Sequence, residues 1–415
     1  MTPMDTSRDP VIVVGGGIGG VATALAFARQ GWPVRLLEQA EQIGAIGYGV
    51  QLGPNVVPML RALGVEEAAR KAAYLPTQLR LHDMNSGATL FDIPLRTPAF
   101  DARYGGSPYM AIHRVDLHEL LVDACRAHPG IDLNQSTTVA RFDHTETGAC
   151  VTTSDGRTIA GAAVIAADGL RSRLRAQLHP NDASRDTGYV AHRTIVPMAE
   201  APASIRQHTG VTMWTGPGFH VIYYPLRDRA EMNIVVVVQV PAGVAAEDNA
   251  RYREHLEAIT AHARPEVRDV LALVSLERRW SIADRHPVRR WCEGRVTLLG
   301  DSAHATLQSL AQGAGMALED AVLLPSLVTR FDGDFAHAFK AFEQQRFLRT
   351  ARVQLESRAL WEQYHCDGAQ AEVRSAQWQE RNAEDFHRCL DWLWKPDLPI
   401  VATPTTPSKL LQETP

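Results

Sequence analysis

The chain has 415 residues, 45% of them hydrophobic, and a formal net charge of −5. That is enough apolar material for a large core and two closely joined domains, and a charge balance that gives a nucleic-acid partner no footing. The longest strongly apolar run, Ile234 to Val238, is far too short to span a bilayer, and Met1 to Asp9 lacks the apolar core of a signal peptide. Five scattered cysteines (Cys125, Cys150, Cys292, Cys366, Cys389) form no CxxC pair, which predicts reduced thiols in a cytoplasmic protein, without disulfides or a metal site.

Val11 to Val14 reads as a buried strand, followed at once by Gly15-Gly-Gly17-Ile-Gly-Gly20, a helix through Val21 to Ala28, and a second strand, Val34 to Leu37, ending on Glu38. This is the GxGxxG dinucleotide fingerprint in its required strand–helix–strand setting. Gly15 permits the tight turn, Gly17 lets a pyrophosphate approach the backbone, Gly20 allows helix to pack on strand, and Glu38 is placed to accept hydrogen bonds from a ribose. The fingerprint alone does not separate NAD from FAD. Gly44 to Asn55 is a glycine-laden loop suited to passing close to a flat ring or a phosphate chain, and Pro54-Asn55 opens a helix. His113-Arg114 precedes another helix, so Arg114 can reach a phosphate or a ribitol hydroxyl. Ala162 to Asp168-Gly169 is a strand ending in Asp-Gly, with Ser172 and Arg175 beyond it.

Between residues 183 and 286 the pattern changes. His192 to Pro197, Thr212 to Trp214, His220 to Pro225 and Met232 to Val240 alternate or are β-branched, and read as strands of one sheet. No second GxGxxG follows, so a pyridine nucleotide has no Rossmann domain of its own. Val296 to Leu299 is a further short buried strand. Gly300-Asp301 ends it, a small-residue loop follows, and a helix starts near Gly313, with Met316, Leu318, Val322 and Leu323 as its apolar positions and Glu319-Asp320 as polar ones. A helix start of this kind favours an anion. Beyond Arg346 the chain reads as polar helices whose tryptophans (Trp361, Trp378, Trp392, Trp394) pack on the body or on a partner subunit. Thr403 to Pro415 reads as a disordered tail.

Gly15-x-Gly17-x-x-Gly20, Asp168-Gly169-x-x-Ser172-x-x-Arg175 and Gly300-Asp301-x-Ala303-His304 resemble, in order and spacing, the three signatures of the single-component flavoprotein aromatic hydroxylases. The resemblance implies an α/β fold with mixed α+β character: a Rossmann-like FAD-binding domain interrupted by a β-sheet substrate domain, with a helical C-terminal segment. It divides the chain into FAD-binding parts at 10–75, 105–182 and 287–350, a substrate domain at 76–104 and 183–286, C-terminal helices at 351–402 and a tail at 403–415. The implied cofactor set is Gly15, Gly17, Gly20, Glu38, Gln51, Arg114, Asp168, Asp301, Gly313 and Ala314. Within it Asp301 bonds the ribityl chain, Asp168 serves structure and nicotinamide positioning, and the helix opening at Gly313 faces the isoalloxazine. The co-substrates implied are O₂ and NADH or NADPH, with NADH favoured. The family often forms homodimers.

Hydroxylating an aromatic ring is easiest on a phenolate, so the pocket needs a group that accepts the phenol proton near neutral pH. In Phe219-His220-Val-Ile-Tyr-Tyr224-Pro225 the strand period places His220, Ile222 and Tyr224 on one face, bringing together an imidazole and a phenol. Leu307-Gln308 and the start of the following helix resemble the branch that hydroxylates 3-hydroxybenzoate at position 6. Carried over, His220 and Tyr224 handle the phenol proton and Gln308 orients a small aromatic acid; Tyr48, Trp214, Tyr223 and Leu310 are expected to line the substrate pocket. Tyr48 and Ala305 depart from the family's usual residues, and Arg193 is one candidate to grip a carboxylate. Salicylate 1-hydroxylation and 6-hydroxynicotinate 3-hydroxylation stay open, as does an FAD oxidase or dehydrogenase without oxygen insertion.

Overall fold

The computed structural model describes residues 8–44, 47–241 and 248–395. Ala45 and Ile46 of the glycine-laden loop and the tail 403–415 lie outside the described residues. Four short strands, Val11–Val14, Val34–Leu37, Ala163–Ala166 and Val296–Leu298, are buried on almost every residue. Such runs have no polar face to offer water, which suits a parallel sheet covered by helices. They pair in parallel with Ile131–Asn134 at one edge, and an antiparallel two-residue strand, Cys292–Glu293, closes the other. The helices Ile18–Arg29 and Gly313–Arg330 pack against each other beside this sheet. Gly19 makes their approach possible, since a Cβ there would lie 3.1 Å from the Ala317 methyl.

The second sheet has seven strands, in the order Trp280–Asp284, Arg185–Pro197, Glu231–Gln239, Phe219–Leu226, Val211–Gly216, Gln78–Asp83 and Thr89–Pro94. All neighbours are antiparallel except Val211–Gly216 against Gln78–Asp83. Trp214, Val221, Tyr223, Ile234 and Val236 on one face join a core with Tyr252, Leu256, Val267 and Val270 from the helices Asn249–Thr260 and Pro265–Leu271. The opposite face carries the cavity described below.

Buried arginines fasten the two sheets. Arg175, opening from the Asp168-Gly169 segment, bonds Asp182 at 2.6 Å and donates to the Ser302 and Ala303 carbonyls at 2.9 and 2.7 Å. Arg285 reaches the same Asp182 carboxylate at 2.6 Å. The helix Phe335–His365 has 31 residues, so it is about 46 Å long and runs from the parallel sheet to the cavity sheet. Two shorter helices, Gly368–Gln379 and Ala383–Trp394, fold back from its end, the latter opened by a capping box between Asn382 and Asp385. Among the described residues no helix is long and apolar enough to cross a membrane.

One expectation changes here. The small-residue segment after Gly300 is a short helix, Asp301–His304, entered through Gly300 at φ 65°, where the sequence suggested a loop. Glu319 and Asp320, the polar positions of the helix Gly313–Arg330, are fully buried against the long helix that follows.

Candidate active site

At the N-terminal fingerprint, Gly15 adopts φ 109°, and Cβ atoms on Gly15 or Gly20 would collide with the backbone oxygens of Ala167 and Gly15. Space above Gly17 is open, and the helix Ile18–Arg29 starts there with no side chain capping its N–H groups. Glu38 holds the glycine turn, accepting from Gly16 N at 2.6 Å and Ala40 N at 2.8 Å. Asp301 presents an exposed carboxyl, raised in pKa by desolvation against the surrounding protein and drawn down by His304 and Arg114. Arg114 sits at the start of its helix with its backbone N–H on Tyr48 O at 2.9 Å. Gly313 opens its helix without a side-chain cap, and Gly313 and Ala314 line the cavity. Uncapped N–H groups at two helix starts, an accessible carboxylate and a cation match the phosphates, ribityl hydroxyls and flavin ring of FAD.

Of the two tasks expected of Asp168, the structural one is visible. Its Oδ2 accepts from Arg173 N at 2.9 Å and Leu174 N at 3.3 Å, so it caps the helix Arg173–Leu178 together with Ser172, and it does not border the cavity. Asp-Gly, Ser172 and Arg175 thus act through structure, with Arg175 gripping the carbonyl end of the Asp301–His304 helix.

The cavity has a volume of about 410 Å³. Its floor is the sheet face bearing Met213, His220, Ile222, Tyr224 and Val235; the segment Thr306–Ala314 forms another wall. Strand register pairs Arg193 with Val235 and Val235 with Ile222, so Arg193 lies two strands across from the residue between His220 and Tyr224. Arg193 Nη2 donates to Gln308 Oε1 at 3.3 Å, and its buried Nε has no partner. Burial lowers the guanidinium's pKa, yet arginine stays charged in proteins. Burial raises the Tyr224 phenol, keeping it neutral, and drives His220 well below its ordinary value, so it is a neutral imidazole. Gly49 lets the Tyr224 ring lie against the backbone, since a Cβ would come within 2.7 Å of the phenol oxygen.

Of the other expected pocket residues, Leu310 and Gln51 border the cavity, with Gln51 Oε1 accepting from Tyr109 at 2.7 Å. Trp214 and Tyr223 do not. They lie on the opposite face, bonded to each other at 3.3 Å, with Trp214 stacked on His82. The same two-residue period that turns Tyr224 inward turns them away. Tyr48 packs edge-on against Trp280 and also stands outside the lining. Conversely, Trp378, Phe386, Leu390 and Trp394 close the cavity from the C-terminal helices, to which the sequence assigned packing alone. Tyr364 and His365 approach His220 from the long helix. The tryptophans were visible in the sequence; nothing local pointed them toward a site.

Behind the cavity lies a buried polar network. His304 Nε2 meets Asp320 at 2.7 Å, and Arg346 bonds Asp320 at 2.6 Å and Glu319 at 2.7 Å. Asn55 bridges Gln312 and Glu319 at 2.9 and 2.8 Å, while Arg349 joins Glu319 to the carbonyls of Trp392 and Leu393. Gly300 N donates to Asp320 at 3.1 Å, so the turn that aims Asp301 is tied to the same network.

Residues 8–332 match the model of the FAD binding domain family, and the chain belongs to that family. It is 39% identical to a 3-hydroxybenzoate 6-hydroxylase of Polaromonas naphthalenivorans (strain CJ2), over 93% of this chain and 95% of that one. It is 40% identical to the enzyme of the same name from Klebsiella oxytoca, over 93% and 97%. Among solved structures, Klebsiella pneumoniae HpxO complexed with FAD and uric acid superposes with a TM-score of 0.80 at 27% identity, covering 92% of this chain and 95% of that one. The protein is an FAD-dependent aromatic monooxygenase.

Proposed function

We propose that this enzyme converts 3-hydroxybenzoate, with NADH and O₂, to gentisate (2,5-dihydroxybenzoate). The observation that carries the reading is the convergence on one apolar cavity of a half-buried arginine, Arg193, and a neutral imidazole–phenol pair, His220 and Tyr224. When bound, FAD supplies the redox and oxygen chemistry, held by the glycine turn, Arg114, Asp301 and the helix start at Gly313. Arg193 pairs with the substrate carboxylate, and Gln308, already bonded to Arg193, fixes the angle of the ring. His220 takes the phenolic proton, and Tyr224, being neutral, donates a hydrogen bond to the resulting oxyanion. The apolar walls from the sheet and the C-terminal helices exclude water from the reacting ring. The names of the 3-hydroxybenzoate 6-hydroxylase relatives support the choice of substrate.

The test is NADH and NADPH oxidation by the purified holoenzyme with hydroxybenzoates and hydroxypyridines, products being identified by mass and NMR. Stimulation by 3-hydroxybenzoate with gentisate as product is expected. Stimulation by salicylate or 6-hydroxynicotinate alone replaces the substrate and keeps the chemistry. Flavin reduction by the organic compound itself, with the nicotinamide idle, overturns it. The proposal includes a cytoplasmic homodimer, supported by the free cysteines and by Leu348 and Leu355, exposed one heptad apart on the long helix. A monomeric mass in sedimentation overturns the dimer.

A further inference from the structure

His220 is joined by a second histidine for which the reading above has no task. His220 Nδ1 and His365 Nε2 are 2.8 Å apart, with ring planes inclined by 31°. His220 lines the substrate cavity, whereas His365 is half-buried and lines a separate, open pocket of about 630 Å³. The pair therefore bridges two compartments. Its nitrogen contact requires one proton between the rings, and which ring donates decides what His220 shows the cavity. If His220 donates through Nδ1–H, its Nε2 is left as a lone pair able to accept a proton.

Two features select that arrangement. Burial holds His365 down to about 3, with the Trp361 carbonyl working against that shift, so the ring rests neutral with a nitrogen able to accept. His365 is also the last residue of the 31-residue helix, at the pole where backbone carbonyls favour a positive charge. The surrounding charges agree. In the open pocket Arg185 and Arg358 are both engaged by Asp284, while Glu362 and Asp367 add carboxylates, and His255 and the Cys366 thiol also line it. The Tyr189 and Tyr364 phenols that pack on the pair are held neutral by burial.

We propose that His365 is a relay and positioning residue for the substrate's phenolic proton, moving the positive charge from the fully enclosed His220 to the helix terminus beside the open pocket. The phenol O–H bond breaks, its electron pair stays on oxygen, and the proton binds His220 Nε2. The Nδ1–H of His220 passes to His365 Nε2, leaving a neutral His220, a His365 imidazolium and a phenolate. When the product is protonated the two transfers reverse and both rings regain their first tautomers, so no proton is gained or lost.

The inference rests on the assignment of His220 as proton acceptor, and its test separates the two. Holoenzyme is titrated with 3-hydroxybenzoate as the probe, following phenolate formation by difference absorbance from pH 6 to 10 alongside the pH profile of kcat, for the wild type and for His365→Gln, His365→Phe and His220→Ala. Glutamine can still accept from His220 Nδ1–H but cannot carry a proton. The expected result is that both His365 variants retain FAD, ionise the bound phenol about one pH unit higher or more, and lose on the order of tenfold in kcat. A third variant, His365→Ala, should show the same loss, and added imidazole, entering by the open pocket, should restore part of it. Wild-type behaviour of His365→Gln overturns the relay, leaving His365 only the task of orientation. Wild-type behaviour of His220→Ala overturns the underlying assignment as well.

Discussion

Arg193 brings a charge to the edge of an apolar cavity. Across the sheet it faces Val235, its Nε is buried without a partner, and its contact with Gln308, at 3.3 Å, is long. A half-buried cation with a spare buried donor is costly unless something anionic arrives, which suits the proposed task of receiving a carboxylate. Arg193→Ala should raise KM for 3-hydroxybenzoate on the order of 10- to 100-fold, the value of a hydrogen-bonded charge pair, with unchanged FAD content. Arg193→Lys should recover only part of this, since an ammonium cannot reproduce the guanidinium's planar fork. An unchanged KM in Arg193→Ala would assign the carboxylate to another group. At the same scale, parity along Phe219–Leu226 puts His220, Ile222 and Tyr224 on the cavity face and Tyr223 on the other, against the expectation that Tyr223 lines the pocket.

Among elements, the helix Gly313–Arg330 joins the cofactor end to the C-terminal layer. Its Glu319 and Asp320 are fully buried, and Arg346 of the next helix bonds both. Burial alone would raise Asp320, but His304 and Arg346 outweigh it and hold the carboxyl down to about 2. Arg346→Met leaves two buried carboxylates short of their partner and should destabilise the protein by about 3–5 kcal/mol, read as a lower urea midpoint. FAD should also leave more readily, because the Gly300 turn hangs on the same Asp320. A loss under 1 kcal/mol would show that His304 and Arg349 suffice. Hydrophobic periodicity made the existence of this helix legible. The burial of its acidic pair was not, since the arginines that permit it come from a helix distant in sequence.

Across the whole molecule, burial is the principal cause lowering several histidines: His82 and His192 to about 4, and His365 to about 3. In the unfolded chain each titrates near 6.5, so between about pH 4 and 6.5 the unfolded state binds more protons than the native one. Stability contributed by keeping these rings neutral is present above pH 6.5 and is lost as pH falls through that window. Urea unfolding at intervals from pH 7.5 to 4.5 should show the midpoint declining below about 6.5, and His192→Phe should flatten the decline. A midpoint insensitive to pH across the window would mean that the native rings protonate as freely as the unfolded ones.

By itself the sequence determined whatever depends on near neighbours. Gly15 and Gly20 announced a turn where a Cβ collides, Val11–Val14 and Val296–Leu298 a covered parallel sheet, and the strand at His220 its inward face; each follows from backbone sterics or a two-residue period. Only the tertiary structure decided what meets across distance. It removed Trp214 and Tyr48 from the cavity, buried Glu319 and Asp320, and brought Trp378, Trp394 and His365 to a sheet face more than a hundred residues earlier in the chain. The physical reason is that local pattern specifies which face of an element is apolar, while the partner that covers that face is selected by packing of the whole fold.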